Sequence, residues 1–475
     1  MDAFLAGLKA VIDALGSTVL LPIMIFLFAL ILGAKPGRAF RAAVTIGIAF
    51  IGINLVIGLM WTNLSNVGQA MVTNTGLKLD TMDVGWPSAA AIAFGSSVGL
   101  WVIPIALLVN VVFLVSRLTK TLNIDLWNYW HFAFIGSMVV VVTGNLFYGM
   151  LAAAIAAAFG LFLADWTAKA VQSFYGTPGI SIPHLTTAPG VPFAIITNWI
   201  VDRIPGLNKL EADPETIRKR FGIWGEPVIL GLVIGLILGV IAFYNAGDVT
   251  TVLTKVLGTA MNLAAVMLLL PRMVQILMEG LIPISEAARD FMKKRASDRE
   301  IYIGLDSAIL IGHPAAISTA LVLVPVAILL SIILPGNHVI LFADLAIIPF
   351  VVALFAPLMK GNIVRMIIAG TLELIVGFYI ATSMSDIFTT AAQNSGFKMP
   401  ANAVKITSIG DGFLWPQWFF TRMAEYMGVI GLLIVAVVLG VVWFFYMKNQ
   451  HAWEVAAGAP EVEAAAPEVA TVPAA

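Results

Sequence analysis

The chain has no cysteine among its 475 residues, and charged residues are scarce. Without cysteine there is no disulfide framework, no thiolate zinc site, no iron–sulfur cluster and no thiol nucleophile in this chain. Only 11% of the residues are Asp, Glu, Lys or Arg, which is about half the share of a soluble globular domain. A soluble fold is therefore excluded, and any cysteine chemistry has to come from a partner protein.

The chain also lacks an excess of charge of either sign. Its 26 Lys and Arg residues balance 27 Asp and Glu residues to a net charge of -1, so nucleic acid is not an expected partner. No metal-ligand spacing, phosphate-binding Walker loop or supported Ser-His-Asp arrangement occurs in the sequence. We therefore predict no metal and no cofactor, and we expect a local site to perform the binding.

Apolar residues, in contrast, make up 60% of the chain. A spanning helix needs about 20 apolar residues, so the sequence predicts an all-α polytopic protein with roughly ten spans, embedded in membrane lipid. The predicted spans, or pairs of spans, are 17–33, 42–61, 89–116, 132–163, 226–244, 253–278, 303–333, 338–357, 364–382 and 426–447.

The charges gather in a few segments between these runs. Ten of the residues in 202–226 are charged, which is typical of a central cytoplasmic connection. A second basic cluster lies within 289–299 and is either a solvated positive-inside loop or a docking surface for a soluble partner. Residues 451–475 are rich in Ala, Pro and Glu and predict a disordered tail. The C-terminus is expected on the cytoplasmic side.

Similar short motifs recur at offsets of roughly 220 residues, which indicates an internal repeat. Trp86-Pro87 resembles His313-Pro314, and Gly144-Asn145 matches Gly361-Asn362. The predicted halves are residues 10–201 and 227–425, and the helix 426–447 is left over. Duplicated halves are typical of transporters, whose sites lie near the membrane midplane at broken helices.

Ionisable residues at these interruptions are the candidates for a site. Asp306 is expected at membrane depth, where it serves either in function or as a helix N-cap. His184 lies in a glycine-rich apolar loop and either binds a ligand or pins the loop. His313 either belongs to the site or forms a structural His-Pro kink. Glu373 could relay protons or pair with Arg272, Arg289 or Arg365.

Three segments carry a resemblance to a known family. Residues 83–93, 179–184 and 304–314 resemble the galactitol-type IIC permeases of the bacterial phosphotransferase system, and more distantly the ascorbate type. The resemblance covers residues 5–447, so that 1–450 would form the permease domain. It implies an eleven-helix homodimer with re-entrant hairpins in a bacterial cytoplasmic (inner) membrane, built from two inverted five-helix repeats and a last helix. A substrate-carrying core would move against a dimerisation domain, as in an elevator.

The resemblance also implies site residues. His131, which alone would fit an aromatic interfacial belt, gains a binding role from it. Ile135 and Leu185 stand where the ascorbate relative has glutamines, which argues against ascorbate and leaves a polyol suitable. Asp306 is in addition the candidate catalytic residue. The full candidate set for substrate binding, including His313 from the residue argument above, is Asp80, Thr81, Asp83, Trp86, His131, Phe134, His184, Asp306 and His313.

The function implied by the resemblance is group translocation of a polyol, with galactitol the first choice. The polyol would receive phosphate from a phosphocysteine on a separate IIB protein, which is itself supplied by a IIA component. The chain would then be the transport subunit of a polyol phosphotransferase, and whether it is itself an enzyme stays open. The alternative is a proton- or sodium-coupled secondary transporter of a small polar solute.

Overall fold

The computed structural model describes residues 29–76, 79–210, 212–295, 300–341, 343–400 and 403–461, with scattered residues between 19 and 27. Most of these residues are helical. Six helices of the described part are long and apolar enough to cross a bilayer, and three shorter apolar helices accompany them. The prediction of a polytopic helical membrane protein is thereby confirmed. Of the predicted span 17–33, residues 17, 18, 20, 21, 24 and 28 lie outside the described part, and the described residues from 19 to 31 are helical.

The helices before residue 226 range in length from 8 to 40 residues. They are α1 (Pro36–Thr75), α2 (Trp86–Gly95), α3 (Val102–Val115), α4 (Trp130–Thr143), α5 (Leu146–Tyr175), α6 (Val191–Val201) and α7 (Pro214–Phe221). The second half has a similar mixture. Its helices are α8 (Pro227–Phe243), α9 (Val249–Arg295), α10 (Pro314–Ile333), α11 (Ile348–Val352), α12 (Phe355–Leu358), α13 (Ile363–Asn394), α14 (Trp415–Lys448) and α15 (Gln450–Ala456).

Several predicted apolar runs are interrupted where glycine or proline changes the backbone. The run 132–163 is divided between α4 and α5 because Gly144, with φ +65°, ends the first helix in the left-handed region. Within the run 303–333, the continuous helix begins only at Pro314. Proline suits the first position of a helix, because the N–H that it lacks would have no partner within the helix. These breaks leave irregular backbone, which a membrane protein tolerates only where protein or a cavity satisfies it.

Six short strands form two small parallel sheets between the helices. The strands are β1 (Thr81–Asp83), β2 (Thr121–Asn123), β3 (Ile180–Ser181), β4 (Tyr302–Gly304), β5 (Val339–Ile340) and β6 (Lys405–Thr407). One sheet has the order β5-β1-β6 and the other β2-β4-β3. Each sheet therefore pairs one strand of one half with two strands of the other half, which ties the two halves together.

Two long helices begin in the same way. Asn145 caps α5 by accepting hydrogen bonds from the amides of Phe147 and Tyr148 at 2.9 and 3.3 Å. Asn362 caps α13 by accepting from the Arg365 amide at 3.1 Å, and each asparagine follows a glycine with positive φ. The Gly-Asn pairs singled out by their spacing thus perform the same local task in both halves.

The helices separate into two packing groups. The long helices α1, α8 and α9 pack against one another, whereas α5 packs with α3, α4 and α14, and α10 packs with α13. The groups touch where α1 meets the 3₁₀ turn Leu345–Ile347 and where α10 meets α8. Gly428, with φ +57°, interrupts α14, so its second part agrees with the predicted last helix 426–447.

The segment after α14 is structured as far as the described residues reach. α15 folds back so that the indole nitrogen of Trp166 donates to the Trp453 carbonyl at 2.7 Å. The Glu454 side chain is buried and lies 3.4 Å from the Lys169 ammonium. The prediction of a disordered tail is therefore wrong for 451–461, where burial of apolar and paired charged groups outweighs composition; residues 462–475 lie outside the described part.

Candidate functional site

The Asp306 side chain caps a turn and is also partly exposed. It follows β4 and caps the 3₁₀ turn Ser307–Ile309, with Oδ1 accepting from the Ala308 amide at 2.8 Å. Oδ2 accepts from the side-chain nitrogen Nδ2 of Asn128 at 2.9 Å, and the Asp306 side chain is 17% exposed. Capping and ligand binding are thus compatible, because a carboxylate has more acceptor positions than this cap uses.

Two histidines and a second aspartate form a buried row beside Asp306. Nδ1 of His131, at the start of α4, lies 2.9 Å from Oδ2 of Asp411, which follows β6. Nε2 of His131 lies 3.4 Å from Nε2 of His184, which follows β3. Gln417 donates to the other Asp411 oxygen. Residues from three separate loops and helices thereby form one hydrogen-bonded chain.

The row reaches Asp306 through His184. Nε2 of His184 lies 3.8 Å from Oδ1 of Asp306, within ion-pair range but beyond hydrogen-bond distance. The hydroxyl of Thr187 donates to that of Ser307 at 2.8 Å and joins the same two loops. His131 is almost fully buried, whereas Asp306 retains exposure. Asp306 is therefore the member of the row best placed to meet a ligand.

Two tryptophans lie against this row. The Trp130 and His131 ring centroids are 4.0 Å apart. A Cβ atom built on Gly410 would lie 2.9 Å from the Trp86 Cβ and 3.3 Å from the Trp130 ring, so only glycine fits between them. The Thr186 hydroxyl donates to the Gly410 carbonyl at 3.0 Å. Trp86 is therefore held close to the histidine row by the loop that carries Asp411.

A second pair of aspartates supports that loop. Oδ2 of Asp83 accepts from the Asp344 amide at 2.7 Å, and Oδ1 of Asp344 accepts from the Trp86 amide at 2.7 Å. The Ser408 hydroxyl donates to Oδ2 of Asp344 at 2.6 Å. Both carboxylates are fully buried. In the structure Asp83 thus bonds to backbone groups, and with Asp344 it fixes the loops that carry Trp86 and Gly410.

Four other candidate residues lie elsewhere or contact other groups: Asp80, Thr81, Phe134 and His313. Asp80 is paired with His338, whose Nδ1 lies 3.3 Å from its Oδ1. The neighbouring Thr81 is buried within the first sheet. The Phe134 ring packs 5.1 Å from the Phe388 ring.

His313 caps α10, with Nδ1 accepting from the Ala315 amide at 3.2 Å. Its ring lies 4.7 Å from the Phe174 ring. The capping geometry explains why histidine precedes Pro314 there. No hydrogen bond joins His313 to the histidine row within the described residues.

Glu373 is buried in α13, and its Oε2 has no hydrogen-bond partner in the part of the chain that the structure describes. Arg365, suggested as its partner, pairs instead with Asp202, with Nη1 and Oδ1 at 2.5 Å. The carboxylate lies against Gly190, where an added Cβ would approach Oε2 to 2.9 Å. Glu373 is thus a buried acid outside the row described above.

Sequence reasoning missed three polar residues of the site. Asp411 stands between Gly410 and Gly412, and it is not among the predicted site residues. Asp344 is a carboxylate within the apolar run 338–357, which is itself a signal of function at membrane depth. Asn128 was hidden by its aromatic neighbours. No group of three or more His, Asp or Glu side chains suited to a metal ion occurs in the described residues.

The contacts of the row favour one arrangement of its ring protons. If His131 donates from Nδ1 to Asp411, its Nε2 becomes an acceptor, and Nε2–H of His184 is the donor that faces it. The Nδ1 atom of His184 then faces the Thr187 hydroxyl at 3.5 Å. This arrangement offers a ligand hydroxyl one carboxylate acceptor, Asp306, beside imidazole groups that donate or accept.

The comparisons with known proteins agree with one another. The family EIIC-GAT, described as PTS system sugar-specific permease component, matches residues 11–402. The PTS system galactitol-specific EIIC component of Escherichia coli (strain K12) is 39% identical over 424 residues, which cover 89% of this chain and 92% of the relative. The chain belongs to this permease family. The family assignment from the sequence is confirmed.

A second relative covers still more of the permease. The putative permease IIC component of Escherichia coli (strain K12) is 38% identical over 437 residues, which cover 92% of this chain and 98% of the relative. The permease is therefore a membrane component of a sugar phosphotransferase system, a class that works on a sugar substrate together with IIA and IIB components. With its several apolar helices it is a multi-pass membrane protein.

Proposed function

We propose that the permease carries galactitol, or a polyol of similar shape, inward and presents it for phosphorylation by the IIB component. One observation carries the proposal: Asp306 is the partly exposed end of a buried row of imidazoles and carboxylates. A polyol offers only hydroxyl groups, which pair well with such acceptors and donors. The name of the galactitol-specific relative supports the choice of substrate.

The proposed transfer step needs no nucleophile from this chain. A polyol hydroxyl oxygen forms a bond to phosphorus while the bond from phosphorus to the IIB cysteine sulfur breaks, and the thiolate leaves. Asp306 accepts the hydroxyl proton or orients the hydroxyl toward phosphorus. His184 and His131 hold the row in one tautomer, and Trp86 provides an apolar wall for the carbon chain of the polyol.

For the architecture, the proposal is eleven spanning helices arranged as two inverted repeats plus the last helix, with re-entrant segments at the breaks. The strand orders support it: exchanging β1 for β4, β2 for β5 and β3 for β6 converts one sheet order into the other. The asparagine caps of α5 and α13 support it as well. Thr81 and Asp80 then belong to the central strand region of one sheet, and Phe134 and His313 to packing near the substrate path.

For the mode of action, the proposal is a homodimeric elevator with its C-terminus in the cytoplasm. The separate packing of α1, α8 and α9 supports a static scaffold, and the remaining helices would carry the site past it. Exposed apolar side chains such as Ile48 and Leu55 on α1 support burial of this scaffold in lipid or in a dimer contact. Cysteines introduced into the cysteine-free chain on α1 and α10 should cross-link in a manner that galactitol changes.

Proteoliposomes containing the permease test the function directly. Galactitol phosphate should accumulate inside only when phosphoenolpyruvate and the soluble phosphotransferase proteins, including IIB, are enclosed. Uptake of unmodified galactitol driven by a proton or sodium gradient, without those proteins, would contradict the proposal.

The buried acid Glu373 is the one observation that favours the second candidate, a proton-coupled carrier. The two candidates predict opposite results for Glu373→Gln. Phosphorylation-coupled uptake should continue in this variant, because the carboxyl is not part of the row at Asp306. A proton-coupled carrier would lose gradient-driven accumulation when the buried carboxyl of Glu373 is replaced by an amide.

A further inference from the structure

Asn128 connects the Asp306 carboxylate to a second carboxylate, that of Asp125. Nδ2 of Asn128 donates to Oδ2 of Asp306 at 2.9 Å and to Oδ2 of Asp125 at 2.6 Å. Its Oδ1 accepts from the Trp130 indole nitrogen at 3.3 Å. Because an indole nitrogen only donates, the Asn128 oxygen has to face Trp130, and its Nδ2 group has to face the carboxylates. Both amide hydrogens of Asn128 are therefore bound by aspartates.

Asp125 is held in place by the strand that precedes it. It follows β2 and is buried. Its backbone amide donates to Oδ1 of Asn123, the last residue of β2, at 3.1 Å. The Asn123 amide donates in turn to Oδ1 of Asn110 on α3 at 2.9 Å. Because β2 pairs with β4, the strand that leads to Asp306, backbone pairing places the two aspartates near each other.

The side-chain amide of Asn128 determines how the Asp306 carboxylate is oriented. The torsion between Cβ and Cγ of an aspartate has broad preferences, so neighbouring donors decide where its oxygens lie. Oδ1 of Asp306 is placed by the Ala308 amide at 2.8 Å, and Oδ2 is placed by Nδ2 of Asn128. Each oxygen keeps a further lone pair for a ligand hydroxyl. Loss of the Asn128 donor would leave one of the two oxygens free to turn.

A purely local role for Asp125 does not account for these contacts. Asp125 precedes the 3₁₀ turn Trp127–Tyr129 and could stabilise that turn alone. The Nδ2 group that it binds, however, also reaches Asp306, which lies 178 residues from Asn128 along the chain. Within the described residues, Asn128 is the partner of the Asp125 carboxylate. Asp125 thus fixes the amide that in turn fixes Asp306.

We infer that Asp125 is a positioning residue for Asp306 and acts through Asn128. Asp125 accepts one amide hydrogen and thereby directs the other at Oδ2 of Asp306, so that the free lone pairs of Asp306 meet the polyol hydroxyl. The inference rests on the proposed role of Asp306 in polyol phosphorylation. Loss of Asp125 changes the rate of phosphate transfer more than the affinity for the polyol, because the other hydroxyls of the polyol keep their partners.

Phosphate transfer from phosphorylated IIB to galactitol, measured with the full-length permease in detergent, tests this inference. Asp125→Ala should lower kcat about tenfold and change KM less than about threefold, because a small misplacement of a reacting group slows the chemical step. Asp125→Asn keeps an acceptor oxygen for Asn128 and should restore most of the rate. The matched control is Asp165→Ala, which removes a buried carboxylate bonded to the Thr121 hydroxyl at the start of β2. This control should leave kcat of the folded protein unchanged.

A double variant tests whether Asp125 acts through Asn128. Asn128→Leu should lower kcat at least as much as Asp125→Ala, and the combination should be no slower than Asn128→Leu alone. Losses that multiply in the double variant would overturn the inference. A wild-type kcat in either single variant, when Asp306→Asn is inactive, would overturn it as well and leave the proposed function standing. Activity in Asp306→Asn would instead contradict the proposed role of Asp306, and the inference with it.

Discussion

Nδ1 of His131 lies 2.9 Å from Oδ2 of Asp411, although 280 residues separate the two along the chain. Both side chains are buried, so the contact has no access to bulk water. A hydrogen bond at Nδ1 fixes which nitrogen faces the second histidine, His184. The last irregular loop of the permease therefore sets the tautomer of a histidine in the first half.

Replacing Asp411 by Asn should reduce phosphorylation-coupled galactitol uptake about tenfold to a hundredfold. Asparagine has a single acceptor oxygen, so it cannot accept hydrogen bonds from both Gln417 and His131 as the two oxygens of Asp411 do. The His131 tautomer would then no longer be fixed. Uptake of radiolabelled galactitol into proteoliposomes measures the effect. Asp386→Asn, at an exposed aspartate paired with Lys405, is the control and should retain uptake. Normal uptake by Asp411→Asn would show that the row has no part in transport.

Asp306→Asn should abolish galactitol phosphate formation while the protein still folds. An asparagine oxygen can still cap the turn at Ser307, but it cannot accept a proton from a substrate hydroxyl. Phosphate transfer from phosphorylated IIB to galactitol, together with galactitol binding by calorimetry, separates loss of chemistry from loss of binding. The matched control is Asp248→Asn, at an exposed cap that accepts from the Thr251 amide at 2.7 Å. Near-normal uptake by Asp306→Asn would remove Asp306 from the site.

Asp344→Ala should lower the free energy of unfolding by about 2–5 kcal/mol, because the Trp86 amide and the Ser408 hydroxyl would lose their buried acceptor. A fall in Tm in detergent, followed by tryptophan fluorescence, measures the loss. The control Asp386→Ala removes an exposed carboxylate and should change Tm little. If both variants unfold at the wild-type temperature, Asp344 does not hold these loops together.

Glu454→Gln should destabilise the fold-back of α15, because the buried carboxylate lies 3.4 Å from the Lys169 ammonium. Breaking a buried ion pair costs about 3–5 kcal/mol, and we expect less here because Lys169 is partly exposed. Limited proteolysis between α14 and α15 should become faster in the variant. Glu215→Gln, in the exposed pair with Lys219, should leave the proteolysis rate unchanged. Equal rates for all three proteins would show that the ion pair does not secure α15.

Much of the fold follows from the amino-acid sequence. Long apolar runs predict membrane helices because a spanning backbone must satisfy its own hydrogen bonds, and Gly144-Asn145 and Gly361-Asn362 mark helix starts by local chemistry. The composition led to a wrong prediction for α15, because an Ala-rich segment that contains Glu is expected to be disordered unless its packing is known. The burial of Glu454 against Lys169 is a contact between distant parts of the chain.

The site shows the same division. Asp306, His131 and His184 were selected from the sequence as polar residues at breaks in apolar runs or by resemblance to the family. Asp411, Asn128 and Asp344 lie near them because the two parallel sheets bring together loops from both halves. The sequence by itself determined a cysteine-free, multi-pass permease with a few polar groups at broken helices. Only the tertiary structure decided which of these groups share hydrogen bonds, because strand pairing between the halves depends on contacts that local sequence does not encode.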